Sequence, residues 1–159
     1  MNVVIRTATI DDMPEVLQLI QELAVYEKEP DAVKITAEDL KAYGFGKHSR
    51  FHCFVAEAHS EVVGMALVYE RFSTWNGPVL HLEDLVVSER MRGQGIGAAL
   101  LDEVVAYGHQ LGVKRITWVV LNWNVPAIDF YKSRGAVIDS EWDSVSLDED
   151  GIKNYLSKL

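Results

Sequence analysis

Cysteine is almost absent from this chain: one, Cys53, among 159 residues. A lone thiol closes no internal disulfide. Cys53 lies in an apolar run, where packing is the expected role rather than nucleophilic chemistry. No apolar run approaches the roughly 18 residues that cross a bilayer, so no membrane partner is expected. The opening residues, Met1-Asn2-Val3-Val4, lack the charged and apolar regions of a signal peptide, so the expected location is cytoplasmic. Positive charge is also scarce, with 15 Lys and Arg against 24 Asp and Glu and a formal net charge of −9. That balance argues against nucleic acid as the main partner and suits a cationic small molecule. The five histidines (His48, His52, His59, His81, His109) show no metal-ligand spacing, and no metal is expected.

Glycine is concentrated where it counts, in Arg92-Gly93-Gln94-Gly95-Ile96-Gly97-Ala98. An apolar, β-branched run from Val79 to Val87 stops just before this stretch. A helix-period segment from Ile96 to Leu111 follows it. The glycines therefore stand where a strand hands over to a helix N-terminus. Bare backbone lets a ligand approach the main chain, and the unpaired N–H groups and dipole of the helix start favour phosphate.

Three phosphate motifs compete for this stretch. A nucleoside-triphosphate loop ends in Gly-Lys-Ser/Thr, and the residues here are Gly97-Ala98-Ala99. A dinucleotide loop is formally satisfied by Gly93, Gly95 and Ala98. It also needs an acid at the end of the next strand, where this chain has Leu121-Asn122-Trp123. The third pattern, Arg/Gln-x-x-Gly-x-Gly/Ala, is matched by Arg92, Gly95 and Gly97.

Along the chain, strands are expected at Val3 to Ala8, Phe51 to Ala58, Val62 to Phe72, Val79 to Val87 and Arg115 to Leu121. Further strand-like pieces lie at Ala136 to Trp142 and Ser144 to Leu147. Thr9-x-x-Asp12 and Thr36-x-x-Asp39 signal capped helix starts. The first helix carries Val16, Leu17, Leu19, Ile20, Leu23 and Ala24 at helical spacing, and Gly44 and Gly46 close the second. The glycine-led helix stops at Gly112, a short helix runs from about Pro126 to Arg134, and an amphipathic tail covers Ile152 to Leu159. With no repeat, low-complexity tract or linker, residues 1–159 read as a single mixed α/β domain.

A second motif follows one strand after the glycines: Asn124-Val125-Pro126-Ala127-Ile128-Asp129-Phe130-Tyr131-Lys132-Ser133-Arg134-Gly135-Ala136. The two motifs, in this order and spacing, resemble the signatures of the GCN5-related N-acetyltransferase (GNAT) superfamily. Leu23-Ala24-x-Tyr26-Glu27, Gly44-Phe45-Gly46, Phe51-His52-Cys53, Val55-Ala56-Glu57, Leu82-Glu83-Asp84 and Trp123-Asn124 are similar to the diamine (spermidine/spermine-type) acetyltransferase family. The resemblance covers the chain to about Gly135 and thins beyond it. It implies a mixed, mostly antiparallel central sheet of about six to seven strands flanked by helices.

The resemblance also implies acetyl-CoA as co-substrate. Backbone groups of Leu85, Val86 and Val87 would pair with the pantetheine arm. Arg92, Gly93, Gln94, Gly95, Ile96, Gly97 and Ala98 would hold the pyrophosphate, and Asn124 and Ala127 would contact the cofactor nearby. Tyr26 and Glu27 would meet the amine; their alternative is an ordinary surface turn at a helix end. Tyr131 is a phenol able to protonate a departing thiolate and still stay protonated at neutral pH, with typical pKa values near 10 and 8.5. Spacing alone reads it equally as an aromatic packed on the sheet.

Glu83 interrupts an apolar strand, where charge needs a reason. An amine of pKa near 10.4 must lose a proton before it attacks, and Glu83 is the candidate base. Strand alternation puts Glu83 and Asp84 on opposite faces, so at most one of them faces the site. Trp75 and Trp118 read as core or as channel walls.

The activity so implied is acetyl transfer to a primary amine of a small cationic molecule, a polyamine, thialysine or similar, by direct attack in a ternary complex, in a homodimer. The alternatives are a non-catalytic acyl-CoA-binding module, a nucleotide-binding regulator, and an acetyltransferase acting on a protein amine.

Overall fold

The computed structural model describes residues 3–159. The chain divides after Val119 into two compact units. The first holds β1 (Val3–Thr7), α1 (Met13–Tyr26), α2 (Ala37–Gly44), β2 (His52–Ala58), β3 (Glu61–Ser73), β4 (Gly77–Val87), α3 (Ile96–Leu111) and β5 (Ile116–Thr117). The second holds α4 (Val125–Ser133) and α5 (Glu149–Leu156).

The five strands form one sheet in chain order. β1 to β4 are antiparallel neighbours, and β5 lies parallel to β4. β2 and β3 are joined by His59-Ser60, both at positive φ (53° and 63°). Two such residues in a row match the right-handed twist of a hairpin.

One sheet face is covered by α1 and α2. Met13, Val16 and Leu19 of α1 and Leu40 of α2 pack with Cys53, Val55, Met65, Leu67 and Val86. The intervening residues point to the other face, where α3 lies. A Cβ at Gly64 would stand 3.2 Å from Leu100 Cδ1 and 3.4 Å from Ile96 Cγ2, so the absent side chain lets α3 approach closely. His52, Phe54 and Tyr107 stack on this side, with ring centroids 4.6 to 5.5 Å apart. Cys53 is buried with its thiol pushed up to about 12, mainly by burial, which fits packing rather than attack.

The capping signals form as read. Thr36 and Asp39 exchange hydrogen bonds at the start of α2. The Thr9 amide donates to Asp12 Oδ2 at 2.6 Å, in a 3-10 turn, Ile10–Asp12, that leads into α1. Arg6 donates to both Asp12 oxygens at 2.7 and 2.8 Å and also reaches Glu57.

Fewer strands form than the expected six to seven. The reading of Arg115 to Leu121 as a strand shrinks to Ile116–Thr117. Only Leu80 and His81 of β4 pair with it, and β4 is irregular just beyond them. Residues 136–147 carry no strand. Their apolar side chains stay largely in solvent, with Val137 and Val145 each 92% exposed. No described strand pairs with them, and alternation alone does not hold a strand without a partner edge. Trp75, at 85% exposure, belongs to no core.

The Arg6 guanidinium and the Thr9 groups hold the Asp12 carboxyl down at about 2. A depressed carboxylate stabilises the fold above its unfolded pKa near 3.9, and that contribution is lost as pH falls from about 4 towards 2. Asp12→Asn is therefore expected to cost about 1–2 kcal/mol in urea unfolding at pH 7, and the gap to the parent should narrow as pH falls below about 4. A gap that does not change with pH would contradict this.

Candidate active site

The site in the first unit begins with an irregularity in β4. Leu67 pairs with Asp84 and Val68 with Leu82, which leaves Glu83 as the extra residue of a β-bulge. A bulge bends its strand and re-aims the side chains around it. Alternation therefore does not carry through Glu83 and Asp84, and the expectation that they lie on opposite faces fails here. Beyond His81, the β4 edge opposite β3 has no strand partner among the described residues. Leu85, Val86 and Val87 lie on that unladdered stretch, with their side chains at least half-buried. Their main chain has the form of an edge that an extended ligand can extend.

Glu83, Asp84 and Glu27 form an acidic group. Asp84 is half-buried and its carboxyl is pushed up to about 6, first by burial, then by the charges of Glu83 and Glu27. Glu27, the residue that follows α1, is also raised by burial. The α1 C-terminus brings the negative end of its dipole and has no basic residue in its last turn. Like charges gathered at a helix C-terminus suit a cation. Tyr26 ends the same helix, and its ring lies 5.0 Å beneath the Arg92 guanidinium.

Glu83 has its own neighbours. Burial, and then the Glu83 charge, raises the Tyr69 phenol. His81 Nε2 stands 3.7 Å from Glu83 Oε2. His81 is buried, at 8% exposure, with Nδ1 2.9 Å from Thr117 Oγ1. Sequence reasoning set His81 aside for want of metal spacing. The usable signal was a histidine two residues before an acid in an apolar strand.

The glycine loop leaves β4 through a 3-10 turn, Glu89–Met91. Gly93 and Gly95 adopt positive φ, 76° and 80°, and a Cβ on either would meet nothing within 4 Å. The loop is thus an open cradle rather than a packed turn. Gly95 precedes α3 without a side-chain cap, and the first intrahelical bond is Ala99 N–H to Gly95 O at 3.0 Å. The amides of Ile96, Gly97 and Ala98 are consequently the unpaired donors of a 16-residue helix. Gln94 and Gly97 line the same turn, exposed and half-exposed. Arg92 Nε donates to Val87 O at 3.0 Å, and its guanidinium lies 3.8 Å from Glu22. Such a loop fits a diphosphate by its donors and its empty space.

In the second unit, Asn124 caps α4, its Oδ1 accepting from the Ala127 amide at 3.4 Å. Sequence reasoning gave Asn124 a ligand contact and missed this cap. Tyr131 is half-buried on α4, its ring 5.3 Å from that of Phe130. Among the described residues, no three His, Cys, Asp or Glu side chains gather as metal ligands. No described helix is long and apolar enough to cross a membrane.

A bulged, half-unpaired strand running into a glycine cradle fits an acyl-CoA-dependent transferase, and comparison with known proteins agrees. The model of the acetyltransferase (GNAT) family matches residues 13–136. The chain is 38% identical to the thialysine N-epsilon-acetyltransferase of Sus scrofa, over 99% of each chain. It is 43% identical to the enzyme of that name from Bos taurus, over 84% of each. A solved integron cassette protein from the mobile metagenome of V. cholerae superposes with a TM-score of 0.79 at 27% identity, covering 100% of this chain and 99% of the other. The chain belongs to the GNAT family and sides with its diamine acetyltransferases. It is an acetyl-CoA-dependent N-acetyltransferase.

A carboxyl raised on folding lowers stability as pH rises from its unfolded value near 3.9 towards its folded value. Asp84→Asn is therefore expected to raise stability at pH 7, on the order of 2 kcal/mol, and to change little at pH 4. Thermal unfolding at the two pH values checks this; a loss of stability at pH 7 would contradict it.

Proposed function

We propose that this enzyme moves acetyl from acetyl-CoA to a primary amine of a small cationic molecule, such as thialysine or a polyamine. The observation that carries the reading is the acidic group of Glu27, Glu83 and Asp84 at the bulge, beside the open strand edge. The names of the curated relatives support the same substrate class. The family match runs across the division after Val119, which supports reading both units as one catalytic domain. Cytoplasmic residence and metal-free chemistry belong to the proposal on the sequence pattern alone, and a homodimer belongs to it on the resemblance.

Each residue has a stated task. Main-chain groups of Leu85 to Val87 align the pantetheine arm, and the loop from Arg92 to Ala98 holds the diphosphate; by the resemblance, Asn124 and Ala127 would also contact the cofactor. The thioester supplies an activated acetyl group. Tyr26 and Glu27 receive the ammonium, and Asp84 adds charge. Glu83 takes one proton from the ammonium nitrogen, directly or through water, and frees its lone pair. The neutral amine then forms a C–N bond at the acetyl carbon as the C–S bond breaks. Tyr131 donates its phenolic proton to the sulfur, and the second proton, lost from the nitrogen as the amide forms, restores the phenol.

The test is thiol release with acetyl-CoA and a panel of thialysine, lysine, spermidine, putrescine and an aminoglycoside. At least one small amine should drive release well above the amine-free rate; no release with any of them overturns the reading. Tyr131→Phe should lower kcat about a hundredfold while acetyl-CoA affinity holds. Equal loss of both would remove Tyr131 from the acid role. Because Asp84 ionises near pH 6, KM for the amine should fall as pH rises through that range. A KM flat across it counts against the acidic site.

A further inference from the structure

We propose that His81 is a positioning residue for Glu83, its Nε2–H aimed at the carboxylate to hold it turned towards the amine. The inference rests on the reading of Glu83 as base and adds the group that holds that base in place. His81 occupies β4 two residues before Glu83, on the paired side of the bulge, where β5 still runs beside it. Its ring is fixed from three directions. Thr117 Oγ1 on β5 is 2.9 Å from Nδ1. The Tyr69 ring on β3 packs against it at 5.3 Å, tilted by 54°. The remaining nitrogen, Nε2, faces Glu83 Oε2 at 3.7 Å.

The Thr117 Oγ1–Nδ1 contact fits either tautomer, and the one proposed is that in which the hydroxyl donates. A Thr117 hydroxyl that donates to Nδ1 leaves the ring proton on Nε2, pointing at the acid. At 3.7 Å the contact is longer than a direct hydrogen bond, so a bridging water or a small swing of Glu83 completes it. The swing is available to Glu83, whose side chain is 51% exposed, whereas that of His81 is 11% exposed. A fixed donor thus faces a movable carboxylate, whose charge the Tyr69 phenol also feels.

The charged and titratable groups acting on His81 are Glu83 on its own strand and Arg71 on β3, with the Tyr69 phenol against the ring. Burial is the largest influence, and with Arg71 it favours the neutral ring; Glu83 opposes them. A neutral imidazole donates without competing for the substrate's positive charge. The curated relatives' names and the family match assign no role to this position.

His81→Leu should lower kcat about tenfold, the worth of one hydrogen bond to a charged group, with KM for acetyl-CoA unchanged. Loss of a donor to the carboxylate disfavours its charged form, so the acid limb of the kcat/KM profile should move to higher pH. His81→Gln, whose amide reaches towards the same carboxylate, should recover most of the rate and the original limb. Parent-like rate and profile for His81→Leu, or no recovery in His81→Gln, overturns the proposal. Should His81→Leu fail to fold, Thr117→Val carries the comparison: a smaller rate loss with the same upward shift supports the proposal, and an unshifted limb overturns it. Glu83→Gln separates this from the broader reading. If it is impaired while His81→Leu is not, the His81 inference alone falls. If it matches the parent, the base assignment falls and the inference with it.

Discussion

One extra residue in β4 governs the site. The ladder to β5 ends at His81, just before the bulge at Glu83. Two features meet at that place. The main chain from Leu82 to Val87 is left with an unladdered edge, and two adjacent carboxylates are released from strict alternation. A regular strand would bury the edge against β5 and send Glu83 and Asp84 to opposite faces. The fold thus carries its local disorder of register where an acyl donor and an amine must meet. Asp84, raised first by burial and then by its acidic neighbours, shows the cost that a site places on the folded state.

The α1 and α3 helices serve this strand from opposite faces. α1 ends beside the acidic group without a basic residue in its last turn, so its dipole adds to the negative potential. α3 starts beneath the glycine loop and turns its amide end outwards, a positive potential for an anion. Arg92 ties the two ends together. It donates to Val87 O, reaches Glu22 and lies over the Tyr26 ring. Cation and anion sites are thereby held apart by charge in a protein whose net charge is −9.

Much of this was legible in the residues. Hydrophobic period placed α1 and α3, capping pairs placed their starts or those of their neighbours, and glycines on alternate positions marked the cradle. These signals are local and act through backbone sterics or short-range hydrogen bonds. The bulge was not legible, because it is a mismatch between two strands and neither strand alone encodes it. The assignment of opposite faces to Glu83 and Asp84 failed for that reason. Residues 136–147 misled in the opposite way. Their alternation is real, but strand formation needs a partner edge that no period in the segment supplies. His81 was passed over because histidines were weighed as metal ligands, and its significance depends on Thr117, 36 residues away.

Amide hydrogen exchange with and without coenzyme A addresses the central claim most directly. The account predicts slowed exchange on binding at two places, the amides along Leu85 to Val87 and those of the loop and first turn from Gly93 to Ala98. Protection confined to other parts of the chain, with these two stretches exchanging as in the free protein, would contradict it.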